Sequence, residues 1–398
     1  MNNREAIFVI ESLRSGIPTR LSTRLLPDIR ENLTARIIND LTGFDEGIIP
    51  AGRLIWGQYG QGKTHVLTTI EHQALDHNFA VSRISLSREV SCHNLLHFYS
   101  QTAARIRTPN STLDGIQHHL NRLQPADIGQ SVIGESERYV NALPRQVLED
   151  YFFAEGEDKE RLYSDLTGTR LPVGEIGRIH RQVRGSAQPN FKFKVTEHAS
   201  AYWGLMADII QLCGFEGWVI LIDEVELIGR LGKLSRLNAY RNLNWLLNWS
   251  QTMKYPIYTV AAAATRLQDD LWYGKANDDR SIMPETALLR SGDVAASEME
   301  RFFQRAIDGN ALKILPASES SLVQLLDEVA QLHGAAYQWP SVLNSAELIR
   351  YLGAQPVRTY IRAALEYLDN EYLYGQSELP GLVSLVEADL SEDGLEEG

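Results

Sequence analysis

Apolar positions recur along this chain with two distinct periods. Ala6, Ile7, Ile10 and Leu13 fall at helical spacing over 4–14, and Gly16-Ile17-Pro18 closes that element. Ile29, Leu33, Ile37, Ile38 and Leu41 predict a second helix over 28–42. Arg53-Leu54-Ile55-Trp56 predicts a short strand with a glycine-rich turn behind it, and 63–77 a helix. Ala80 to Leu86 reads as the next strand from its position, although neither alternate face is cleanly apolar; helical spacing returns at 93–106. Trp218-Val219-Ile220-Leu221-Ile222 is a continuous apolar run, the mark of a strand buried on both faces. Pro256 to Ala264 is a second such run, and Leu312 to Pro316 a short fifth strand. Helices are predicted over 197–212, 236–252, 318–333, 342–352 and 356–370, with Trp245 and Trp249 packing in the core. Strands alternating with helices imply a five-stranded parallel sheet between helices.

Residues 107–196 break this rhythm. Pro, Gly and Asn punctuate helical patches such as 132–150, so the stretch reads as a large, mostly helical insertion. The expected organisation is N-terminal helices and half a core over 1–106, the insertion over 107–196, the second half of the core over 197–316, a small helical lid over 317–375, and a tail over 376–398. From Glu387 onward the tail carries six acids and no base, the composition of a disordered, solvating end.

Composition narrows the function classes. The 398 residues carry 38 Lys+Arg against 51 Asp+Glu, a formal net charge of -13, which argues against a protein that coats nucleic acid through bulk charge. A local basic tract remains: 170–194 holds Arg170, Arg178, Arg181, Arg184, Lys192 and Lys194 against Glu175, with Phe191 and Phe193 interleaved at its end. It predicts either a DNA contact or a solvated insertion docked on the acidic body. Two cysteines, Cys92 and Cys213, fit a reducing, cytoplasmic setting rather than a disulfide framework. Met1 to Glu11 has no apolar signal core, and no stretch approaches the roughly 20 apolar residues of a spanning helix, so no membrane partner is expected. Cys92, His93, His118 and His119 match no metal-ligand spacing.

The chemistry lies at the ends of two strands. Gly57-Gln58-Tyr59-Gly60-Gln61-Gly62-Lys63-Thr64 fits G-x-x-x-x-G-K-[ST] at every position, and His65 belongs with the same cofactor-binding group. Successive backbone N–H groups curl around a phosphate chain, and glycine reaches dihedrals that a β-carbon forbids. The following helix points its positive end at the same phosphates. Lys63 supplies a cation for the β- and γ-phosphates, and Thr64 a hydroxyl for Mg²⁺. Asp223-Glu224 follows the buried run at 218–222, as the second carboxylate-bearing strand requires. Asp223 is placed to hold Mg²⁺ through water, and Glu224 to act as general base on the attacking water. Glu226 has no clear role beyond a charge at a helix start. No Asn-Lys-x-Asp or Leu-Ser-Gly-Gly signature is present, which favours ATP over GTP and excludes an ABC-type ATPase.

With Leu221-Ile222-Asp223-Glu224-Val225-Glu226, Thr265, Arg358, Ala6 to Arg20, Trp56 to Leu67, and Ser200 to Ile228, the chain resembles an AAA+ P-loop NTPase of the origin-recognition initiator type. More narrowly, it is similar to the BrxC/BrxD group of bacterial anti-phage BREX ATPases. Leu315-Pro316 and His333-Gly334-Ala335-Ala336-Tyr337 agree with that pattern. The resemblance implies that the strand at 256–264 lies between the P-loop strand and the Asp223 strand. It implies that Ile17, Pro18 and Arg20 border the adenine, and that Thr265 orients water against the γ-phosphate, a helix-capping threonine being the alternative. It implies that Arg358, or Arg362 one turn on, reaches the γ-phosphate from the lid, and that Arg290, Arg301 or Arg305 serves as a trans-acting finger. ATP hydrolysis, a homo-oligomer, and a helicase or other DNA-processing partner follow from the same likeness. The other readings are a nucleotide-dependent oligomerising switch and a direct DNA translocase.

Overall fold

Continuous apolar runs become inner strands because a sheet covered on both faces leaves no polar side for alternation. In the computed structural model, which describes residues 3–111, 114–135, 137–189, 191–250, 255–274, 278–309 and 311–375, the chain opens with α1 (Asn3–Arg14), α2 (Arg20–Leu25) and α3 (Glu31–Thr42). Then come β1 (Arg53–Gly57), α4 (Lys63–Asp76), β2 (Ala80–Ser85), α5 (Leu95–Ala103) and β3 (Ile106–Arg107). The predicted insertion holds α6 (Gln117–Leu120), α7 (Pro125–Gln130), α8 (Leu143–Tyr151), α9 (Gly156–Leu166) and α10 (Val173–Arg184). It is followed by α11 (Val195–Leu212), β4 (Trp218–Asp223), α12 (Lys233–Leu246), β5 (Ile257–Ala264), α13 (Asp279–Ser291) and α14 (Asp293–Gln304). β6 (Ala311–Lys313), α15 (Glu319–Tyr337), α16 (Ser345–Leu352) and α17 (Val357–Tyr374) complete the described chain. The acidic stretch from Glu387 lies outside the described residues.

The sheet order is β3-β2-β4-β5-β1-β6. β5 therefore separates β1 from β4, the additional-strand arrangement that the resemblance implies. β2 runs parallel to β4 and β4 parallel to β5, with Ile220 registered against both Ser82 and Thr259. Every residue of β4 and β5 is buried. The expectation of five parallel strands needs one correction: the sheet has six and is mixed, because β3 pairs antiparallel to β2 at its edge. β3 is two residues long, too short to carry any period in the sequence.

Two compact units divide the chain. The first comprises Met1–Arg36, Trp56–His72 and the chain from Lys313. Its core sets Ala6, Val9, Ile10 and Leu13 of α1 with Leu325, Val329 and Leu332 of α15 and Leu365 of α17, so the N-terminal helix shares the lid's core. A second cluster joins Leu322 and Leu326 to Leu348, Leu352, Ala363 and Ala364. Each fully buried Leu, Ile or Val contributes about 1.5–3 kcal/mol.

The second unit, Ile37–Ile55 and Gln73–Leu312, is built around a large aromatic core. Trp203 stacks on Trp218 at 5.3 Å, Tyr240 of α12 meets Trp272 and Phe303 edge-on, and Phe302 meets Phe303 in the same way. Trp249 is buried and donates its indole N–H to the Gly52 carbonyl at 3.0 Å, while half-buried Trp245 meets Trp203 edge-on. Several described aspartates take both guanidinium donors of one arginine and the phenol of one tyrosine, among them Asp40 with Arg53 and Tyr258, Asp208 with Arg138 and Tyr139, and Asp279 with Arg236 and Tyr240. Two guanidinium donors and one phenol satisfy most of a carboxylate's acceptor capacity, which is the condition for burying its charge.

Candidate functional site

The phosphate-binding motif lies wholly in the first unit, from the end of β1 to the start of α4. Leu54, Ile55 and Trp56 anchor the strand in the core, and the Trp56 carbonyl accepts from the Ile314 N–H at 2.7 Å. The loop turns through Gly60 at φ +73° and Gly62 at φ +92°, backbone that side chains with a β-carbon rarely adopt. At Gly57 a β-carbon would sit 3.1 Å from Ile314 and 3.2 Å from Lys63, so glycine keeps this side of the cradle open. The Gln58 N–H is turned inward onto Gln61 Oε1 at 2.7 Å. Lys63 is only 7% exposed, and its ammonium lies 3.5 Å from the carbonyls of Gly57 and Gln58. Thr64 and His65 occupy the first turn of α4, where amides without intrahelical acceptors create positive potential.

Helix α17 arrives beside this loop. Its N-cap, Pro356, stands 3.0 Å from where a β-carbon on Gly60 would lie. Arg358 sits over the ring of Tyr59 at 5.8 Å, and Tyr59 is itself 49% exposed. Gly16, in the turn that closes α1, faces the same arginine. Of the predicted adenine border, Ile17 is 64% exposed and Pro18 half-buried. Arg20 forms a 2.5 Å ion pair through Nη2 with buried Glu71 and so ties α2 to α4. Thr19 and Ser22 cap α2 reciprocally, fixing the entry of this segment.

Burial pushes the His65 imidazole down to about 4, with the charges of Arg30 and His72 acting the same way against Asp28. Its folded value lies below the ordinary 6.5, so the native state refuses a proton that the unfolded chain accepts. Stability is therefore retained above pH 6.5 and lost as pH falls from 6.5 toward 4. Replacing His65 with glutamine removes this loss: between pH 7 and 5 the variant is expected to lose about 1–2 kcal/mol less than the parent in urea unfolding.

The acidic pair lies in the second unit. Asp223 ends β4, is 2% exposed, accepts from the Glu224 N–H at 3.0 Å and lies 3.6 Å from Arg83. Glu224 adopts φ +58° and ψ +37°, a left-handed conformation that costs a non-glycine residue about 1–3 kcal/mol and concentrates at functional sites. The charge of Glu226 has a definite use: its carboxylate accepts from the Ala264 N–H at 2.9 Å, tying the turn after β4 to the end of β5. Thr265 follows that strand end directly, and its carbonyl accepts from Gln268 and Asp269, so its backbone starts the next helical turn. Among the candidate finger residues, Arg305 donates to the Trp249 carbonyl and Arg301 to the Ser297 carbonyl, while Arg290 is exposed.

Much of the basic tract is engaged locally. Arg170 pairs with Asp165 and lies 4.1 Å over Phe193; Arg178 pairs with Asp158, Arg184 with Asp150, and Lys194 with Glu197. Phe193 also packs edge-on against Tyr202. Arg181 and Lys192 are the exposed remainder. His93 meets Ser91 and His119 meets Thr108, each in a separate local contact. Among the described residues no group of three or more His, Cys, Asp or Glu side chains is disposed to hold a metal ion, and no helix is long and apolar enough to cross a membrane.

Solved structures similar to this chain include the Aeropyrum pernix ORC2 protein in its ADP form, at 13% identity and TM-score 0.42, covering 92% of this chain and 69% of that one. The ORC2 protein in its ADPNP-ADP complexes gives 15% identity, TM-score 0.41 and the same 92% and 69% coverage. The ORC1 protein of Aeropyrum pernix in complex with DNA gives 13%, 0.35, 94% and 69%. No curated protein sequence matches. The family of BREX system ATP-binding proteins BrxC/D matches over residues 1–150 and 178–359, taking in the phosphate-binding loop, the acidic pair and the start of α17. That match spans most of the chain, and the protein belongs to the BrxC/D family of BREX system ATP-binding proteins.

Proposed function

We propose that this protein binds and hydrolyses Mg²⁺-ATP and uses the cycle to assemble, load or remodel a DNA-processing partner, a helicase or nuclease, in a prokaryotic anti-phage defence system. The observation that carries the nucleotide reading is the loop itself: two left-handed glycines, a buried Lys63 held against loop carbonyls, and a following helix start. Membership in a BREX ATP-binding family supports the defence setting. Gly57 to His65 bind the triphosphate, and Ile17, Pro18 and Arg20 form the segment that borders the adenine. The Thr64 hydroxyl and the Asp223 carboxylate are hard oxygen donors of the kind Mg²⁺ takes and would hold the ion. When bound, it neutralises charge developing on the phosphates.

Glu224 accepts the proton of the attacking water, Thr265 orients that water, and Arg358 bears on the γ-phosphate. The protein acts as a homo-oligomer in which one of Arg290, Arg301 or Arg305 serves the neighbouring copy. Arg181 and Lys192, exposed and outside the ion pairs described above, are the charges that the basic tract offers DNA most readily. The test is calorimetry with ATP, followed by turnover and solution mass with and without DNA at several salt concentrations. The expected result is micromolar ATP uptake, a larger mass in ATP than in ADP, and turnover that responds to DNA or partner. No uptake of adenine triphosphate overturns the reading.

A further inference from the structure

We infer that Gly16 is a positioning residue for Arg358, so that the turn closing the N-terminal helix sets how the protein senses the γ-phosphate. The inference rests on the nucleotide reading above and extends it to a residue outside the phosphate-binding loop. Gly16 closes α1: its N–H donates to the Leu13 carbonyl at 3.1 Å, and the Ile17 N–H donates to the Ser12 carbonyl at 3.0 Å. Its φ is +68°, the left-handed value this type of helix ending requires.

The close approach is the second requirement. A β-carbon at Gly16 would lie 2.8 Å from Arg358 Nε and 3.2 Å from both Cδ and Cζ. The first contact is nearer than packed atoms tolerate and the other two are tight, and the atoms they press on belong to the far end of a long side chain. Adding one methyl group therefore presses on the guanidinium and strains the turn at φ +68°. On its other side Arg358 lies over Tyr59 of the loop, and Pro356 abuts Gly60. The arginine is thus confined between the α1 turn and the loop, with the bare backbone of Gly16 as one wall. Helix α1 is in turn fixed to α15 and α17 by Val9, Ile10, Leu13, Val329 and Leu365, so this wall is rigid. Displacing a charged group by about 1 Å from a reacting phosphate is enough to cost on the order of tenfold to a hundredfold in rate.

The test is a cycle of four proteins: the parent, Gly16→Ala, Arg358→Ala and the double variant. Gly16→Asn, which tolerates left-handed backbone better than alanine, separates conformational strain from the effect of the added side chain. Two readouts are taken, the ratio of ATP to ADP affinity by calorimetry and the turnover number, with melting temperature measured alongside. Both Gly16 variants are expected to lower the ATP-over-ADP preference and the turnover by roughly tenfold, with ADP affinity unchanged. Gly16→Ala is expected to add nothing once Arg358 is alanine. An equal loss in both backgrounds, or parent-like discrimination in Gly16→Ala, overturns the inference. Because the affinity ratio needs no hydrolysis, a protein that binds ATP but does not turn it over still decides the role of Gly16.

Discussion

Replacing Lys63 with alanine is expected to weaken ATP binding by about 2–4 kcal/mol, or roughly 30- to 1000-fold, by isothermal calorimetry. The loss has two sources. A charge-assisted contact to the phosphates disappears, and the loop carbonyls of Gly57 and Gln58 lose the cation that lies 3.5 Å from each. Lys63→Met retains the buried stem and so separates packing from charge. It should bind as poorly as the alanine variant while melting closer to the parent. Parent-like affinity in Lys63→Met would remove the ammonium from phosphate recognition.

Glu224→Gln is expected to bind ATP within a fewfold of the parent and to hydrolyse it about 100- to 10,000-fold more slowly, the range a general base contributes. Glutamine matches the shape of glutamate but cannot take a proton from water. Asp223, whose carboxylate accepts from the Glu224 amide, is left unchanged by this substitution. Single-turnover measurements locate the defect in the chemical step, and the variant should hold the ATP-dependent mass indefinitely. Full turnover in Glu224→Gln would exclude the residue from the mechanism.

The parts of this fold that could be read from the sequence are those determined by near neighbours. Trp218 to Ile222 and the run at 256–264 announced strands buried on both faces, and both are buried throughout. The glycines of the loop were legible because left-handed backbone demands them, and Gly60 and Gly62 adopt it. What was not legible depends on residues far apart along the chain. The clamp on Asp208 draws on Arg138 and Tyr139, and nothing in local spacing pairs them. Glu226 read as a charge at a helix start because its acceptor role is set by Ala264, on another strand. The partners of the basic tract were not legible either, because Asp150, Asp158 and Asp165 lie earlier in the chain, on α8 and α9. The pairing of Arg20 with Glu71, 51 positions on, was likewise beyond local spacing.

The hydrogen bond from the Ala264 amide to Glu226 has a mechanical result. It is a charge-assisted link between the turn that carries Glu224 and the strand terminus that carries Thr265. The two residues proposed to act on the same water are thereby yoked through the Glu226 side chain, so a shift of the β5 terminus is relayed to the turn that carries Glu224. Glu224 sits in a backbone well of higher energy that only its surroundings can hold, and this link is one of the contacts that fix the turn around it.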